Sequence, residues 1–100
     1  MTERDTTTTE RAVIAKRVDS GEAETTEIVD LARAAGYEVA EILTQTRTED
    51  PAYHLGEGKV ETLAGIVRQT DARVVIFDNQ LGPYQTFNVG NKLPEDVRIL

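Results

Sequence analysis

The spacing of apolar residues alternates between two periods along this chain, and that alternation limits the possible folds more than any other feature. Ala12-Val13-Ile14-Ala15, continued by Lys16-Arg17-Val18 and closed by Asp19-Ser20-Gly21, is a short apolar run bounded by turn residues, as in a buried strand. Ile28, Leu31, Ala32 and Ala35 then recur at helical spacing, which predicts a helix over roughly Ala23 to Ala35. Gly36 stands where a helix commonly stops in a left-handed turn. Glu38 to Thr44 reads as a second strand with imperfect alternation, and residues 45–56 as an irregular loop. Val60, Leu63, Ala64 and Val67 repeat the helical spacing, with Glu61 in the first turn and Arg68 in the last, as the helix dipole favours.

Val74-Val75-Ile76-Phe77 is apolar on both sides of the pleat, so both faces of that strand are expected to be covered. Pro83 suits the first position of a short third helix, ended by Gly90-Asn91 and Pro94, and Val97 to Leu100 begins a fourth strand. The order is β-α-β-α-β-α-β. Units of this length require parallel strands and right-handed crossovers. The expected fold is α/β: a small open parallel four-stranded sheet, strand order 2-1-3-4, with helices on both faces. Ligands of such sheets gather at the carboxyl edge, where the long loop and the start of helix 2 also lie.

Residues 1–10, with four consecutive threonines from Thr6 to Thr9, are expected to be a disordered polar tail before a domain over 11–100. No apolar run follows Met1, and no segment approaches membrane-spanning length, so a cytoplasmic domain without membrane contact is expected. Cysteine is absent, which removes disulfides, thiolate metal sites and thiol nucleophiles. The net charge is −7, and lysine occurs only at Lys16, Lys59 and Lys92. An acidic, lysine-poor surface suits a halophilic source, where salt screens like-charge repulsion; an ordinary acidic mesophile domain is the other reading. Either way the domain offers no broad basic patch to nucleic acid.

From Thr44 to Leu100 the wording becomes specific. Thr44-Gln45 closes a strand, Asp50-Pro51 follows, then Tyr53 and Leu55-Gly56-Glu57-Gly58-Lys59-Val60-Glu61. Farther on come Val75-Ile76-Phe77-Asp78, then Leu81, Pro83, Gln85 and Asn88, and finally Val97-Arg98-Ile99-Leu100. As an ordered set these resemble the N-terminal domain of the HflX-type GTPases; the first half of the chain agrees in layout more than in wording. In that family the domain precedes a helical segment and a GTPase domain, and the whole protein binds the large ribosomal subunit and splits ribosomes. The resemblance implies a non-catalytic domain whose partners are the large subunit with its RNA and the protein's own GTPase and helical segments. It also implies that GTP and Mg²⁺ belong to the later domain, with no cofactor in this one and the catalytic parts absent from these 100 residues.

The candidate sites are each open to a second reading. Gly56-Glu57-Gly58-Lys59 is not a phosphate loop, because Val60 follows the lysine and Tyr53 holds the place of the leading glycine. Gly56 and Gly58 before a helix offer backbone amides to an anion, with Lys59 adding charge and an RNA phosphate as the expected ligand; alternatively they only permit a tight turn. Arg47 is a candidate phosphate contact or a solvated loop residue. Gln85 and Asn88 carry amides that read RNA or tie helix 3 to the loop. Asn91-Lys92-Leu93-Pro94 resembles a guanine-reading motif but lacks its aspartate, and reads as a turn. Asp19 and Asp78 fall short of a receiver-type carboxylate cluster, leaving Asp78 to cap the turn to helix 3. His54 is the only histidine and is expected in a loop, unable to build a metal site or a triad alone. No catalytic or metal-binding residue is expected. Two other functions stay open: a nucleotide-binding or ATP-hydrolysing α/β module, and a protein-interaction domain without an RNA role.

Overall fold

A computed structural model describes residues 9–100; the expected tail over 1–10 lies largely outside the described residues. The elements are β1 (Arg11–Val18), α1 (Thr26–Ala34), β2 (Glu38–Thr46), α2 (Glu57–Thr70), β3 (Val74–Phe77), α3 (Pro83–Lys92) and β4 (Arg98–Ile99). All strand pairs are parallel, and the sheet order is β2-β1-β3-β4, as the alternation of periods predicts.

Each face of the sheet has its own core. Val13, Ala15, Leu43, Val75 and Phe77 face α2 and α3, meeting Val60, Leu63, Ala64, Val67 and Val89. Ile14 faces the other way, onto Val29 and Ala32 of α1. The first crossover leaves β1 in one direction and the second returns past it in the other, so right-handed connections place α1 opposite α2 and α3.

Three local differences from the sequence pattern have physical causes. Helix α1 begins at Thr26 rather than near Ala23, because the Glu24 carboxylate accepts the Thr26 amide and the Glu24 carbonyl accepts Lys16 Nζ at 2.7 Å, holding the approach extended. Its buried stripe is Val29 and Ala32, with Leu31 58% exposed, so Leu31 and Ala35 are not core positions. The uneven alternation of β2 comes from a bulge: Ala12 pairs with Val39 but Val13 with Glu41, so one extra residue lets both Val39 and Ile42 lie toward α1. Gly36 does take the left-handed conformation, at φ 97°, and Asp71 ends α2 in the same way at φ 54°. Among the described residues no helix is long and apolar enough to cross a membrane, and no group of metal-ligating side chains is assembled.

Candidate functional site

The carboxyl edge of the sheet collects the ends of β1, β2 and β3, the loop 47–56, and the starts of α2 and α3. Neighbouring crossovers depart in opposite directions between β1 and β3, and at that crevice open α/β sheets take their ligands. Here it is filled by the chain itself. Asn79, just past β3, accepts the Arg17 amide at 2.8 Å and donates to the Arg17 carbonyl at 2.9 Å, extending the ladder with a side chain. The Arg17 side chain is buried to 8% exposure and spends its donors inward. Nη1 reaches Asp19 Oδ1 and the Arg47 carbonyl, both at 2.8 Å, and Nε reaches His54 Nε2 at 3.3 Å.

His54 is a core residue of the loop rather than an exposed one, at 3% exposure, and its ring meets Phe77 edge-on with centroids 6.4 Å apart. Its backbone is left-handed at φ 70°, uncommon for a residue with a side chain. A tight local frame holds it there. Asp50 and His54 exchange backbone hydrogen bonds of 3.1 and 2.8 Å, and Asp50 Oδ1 accepts the amides of Ala52 and Tyr53. The irregular stretch is thus a folded turn. His54 Nδ1 faces Glu49 Oε2 at 3.5 Å and is the one buried side-chain nitrogen or oxygen among the described residues without a hydrogen-bond partner.

Gln85 and Asn88 join α3 to this turn. Gln85 Nε2 donates to Glu49 Oε2 at 2.6 Å and to the Asp50 carbonyl at 3.0 Å, while its Oε1 accepts the Gly82 amide. Asn88 Nδ2 donates to the Ala52 carbonyl at 2.9 Å. The Gln85 amide holds the Glu49 carboxyl below the usual carboxylate range, and the positive charge of Arg17 acts in the same direction. Asp78 does not cap the turn to α3; it pairs with Lys16 Nζ at 2.8 Å. Asn91 and Lys92 lie in the last turn of α3, where Lys92 pairs with Glu61 and Glu57.

The start of α2 is arranged differently from the rest of the edge. Gly56 is its N-cap, and Gly58 already lies in the first turn, so only Gly56 precedes the helix. Neither glycine needs a positive φ. The Gly56 amide is taken by Gln45 Oε1 at 2.8 Å, and no side chain caps the helix, which leaves the following amides to whatever lies outside. A Cβ built on Gly56 would come within 2.5 Å of Arg47 Nη1 and 3.1 Å of Gln45 Nε2. The missing side chain is thus what admits the Arg47 guanidinium to the head of α2, and Lys59 stands in the same first turn. A cation against the positive end of a helix is unfavourable by about 0.3–1 kcal/mol unless an anion joins it.

Sequence reasoning placed Arg47, Gly56 and Lys59 near one another but missed Arg17, Asn79 and the burial of His54. The available signals were an arginine inside an apolar strand and an asparagine two residues past another.

A family model described as the GTP-binding GTPase N-terminal region matches residues 22–100. Among curated proteins, the GTPase HflX of Thermococcus kodakarensis is 43% identical over 71 residues, covering 71% of this chain and 16% of that protein. The GTPase HflX of Thermofilum pendens is 40% identical over 72 residues, covering 71% and 17%. That of Escherichia coli K12 is 39% identical over 64 residues, covering 63% and 15%. The matched part of this chain therefore spans about a sixth of the length of these relatives.

Proposed function

Because the chain belongs to the N-terminal family of the HflX-type GTPases, we propose that it is a non-catalytic docking domain that holds a GTPase on the large ribosomal subunit through RNA phosphate. The observation that carries this reading is Arg47 lying on Gly56 at the uncapped head of α2. Arg47 lies against the helix N-terminus and Lys59 stands in its first turn, while the Glu57 carboxylate of that turn is drawn toward Lys92 Nζ at 3.8 Å. A phosphate oxygen accepts from backbone amides and guanidinium together, and its charge reverses the unfavourable meeting of Arg47 with the helix dipole. A few such contacts suit a domain of charge −7 that binds a particular RNA fold rather than RNA in general.

Gln85 and Asn88 contribute indirectly, by fixing α3 on the turn that carries Arg47. Arg17 and His54 support the same turn from beneath. Contact with the GTPase part of a longer protein is the second component of the proposal, in keeping with relatives named as GTPases and far longer than this chain.

The nucleotide-module reading has less in its favour. GTP and Mg²⁺ require a phosphate loop, and the residues present do not fit it: Gly56-Glu57-Gly58-Lys59 is a helix start without the leading glycine or the following hydroxyl. The sheet crevice where a nucleotide would lie is occupied by Asn79 and Arg17.

Cosedimentation with purified large subunits tests the proposal. The chain is expected to pellet with them, and Arg47→Ala/Lys59→Ala to stay in the supernatant. Equal pelleting of that double variant removes the phosphate site. Amide shifts near Gly56 on adding ATP or GTP would favour the nucleotide module instead.

A further inference from the structure

Helix α3 turns two large aromatic side chains outward. Tyr84 is 67% exposed and Phe87 66%, one helical turn apart, while Gln85 and Val89 on the opposite side are buried. Exposed aromatics of this size cost solubility and are uncommon without a partner. The run from Asn79 to Pro94 that contains them has no Asp or Glu, although the chain carries 18 acidic residues in 100. Three carboxylates that reach this helix pair with its own side chains, Glu49 with Gln85 and both Glu57 and Glu61 with Lys92, and the next acidic residues after it are Glu95 and Asp96. A helix that carries no carboxylate of its own in an otherwise acidic domain is the one a polyanion can approach.

The chemistry of that face narrows the partner. Beside the rings, the outward side of α3 carries the exposed amide of Asn91, and not the aliphatic stripe by which a helix docks into a protein groove. Rings stack on bases, and amides meet base edges or ribose hydroxyls. The Asn88 amide also ties this helix to the turn beside Arg47, so the two faces adjoin. We infer that Tyr84 and Phe87 form a stacking platform for unpaired RNA bases, resting on the docking reading above and naming how the same surface recognises RNA beyond its phosphates.

The test uses the chain as it stands, with two probes: a single-stranded eight-nucleotide oligo(A) and an RNA duplex of matched length. Upfield shifts of the Tyr84 and Phe87 ring protons are expected with the single strand and not with the duplex. Tyr84→Ala/Phe87→Ala is expected to weaken binding of both oligo(A) and large subunits about tenfold. Tyr84→Leu/Phe87→Leu, which keeps apolar area but loses the π faces, is expected to lose as much. Wild-type binding by the leucine variant overturns the inference in favour of an apolar protein partner, and unmoved ring protons overturn it outright. The two proposals fail separately. If the rings shift while Arg47→Ala/Lys59→Ala binds subunits normally, the phosphate site falls and the platform stands.

Discussion

Arg17 Nε donates to His54 Nε2 at 3.3 Å beneath the turn that carries Arg47. Arginine only donates, so His54 Nε2 presents a lone pair, and the proton of the neutral imidazole lies on Nδ1, toward Glu49. This fixes a tautomer. Ring-nitrogen shifts of the neutral ring are expected to report protonated Nδ1 and bare Nε2. In Arg17→Met that preference should relax, and amide exchange across 47–56 should speed up. A wild-type ring protonated at Nε2 contradicts the pairing.

Asn79 substitutes for a strand residue by bonding both backbone groups of Arg17. Asn79→Ala strands a partly buried amide and carbonyl, so a loss of about 1–3 kcal/mol is expected. Urea denaturation should show a lower midpoint at unchanged slope. Asn79→Asp retains an acceptor for the amide but loses the donor, and should fall between the two. An unchanged midpoint for the alanine variant would mean that the crevice is not held by this side chain.

These two residues also show where the sequence is legible. Strand order, both cores and the helix periods follow from local spacing, because Val13, Ile14 and Val75 alternate on a pleat and Val60, Leu63 and Val67 recur on a helix. The bonding between Arg17 and Asn79 joins residues 62 apart, and the Arg17–His54 contact spans 37. Neither has a local pattern. Leu31 failed as a core residue for a related reason: helical spacing defines a face, but the rotation of α1 over a bulged β2 selects which face is buried.

The Glu49 carboxyl is held below its ordinary value near 4.5 by the Gln85 amide, with Arg17 assisting. Glu10 is lowered too, through its hydrogen bond with Arg98. A lowered folded-state value means that the stabilisation is complete above the unfolded value and lost as pH falls through the folded one. Stability is therefore expected to decline on the acid side, below about pH 5, and Glu49→Gln to lessen that decline. Parallel pH profiles of the urea midpoint for the variant and the parent would contradict the assignment.

The −7 charge yields a separate expectation. If the surface is adapted to salt, molar KCl should raise the melting temperature by screening carboxylate repulsion. A melting temperature that falls with KCl rejects that reading and leaves an ordinary acidic domain.

Gly56→Ala probes the proposed docking site without changing any charge. The added methyl meets Arg47 Nη1, the far end of a flexible side chain, so the guanidinium should swing away from α2. Stability should change by about 1 kcal/mol or less, since alanine is only a poorer N-cap than glycine. Subunit binding should nevertheless weaken as it does for Arg47→Ala.

The salt dependence of large-subunit binding tests the phosphate contact most directly, because each released contact lowers the slope of log K against log[KCl] by roughly 0.7–0.9. The slope for Arg47→Ala/Lys59→Ala should be shallower than that of the parent chain by about 1.5, with Gly56→Ala between them. Identical slopes and affinities for all three proteins would contradict the account.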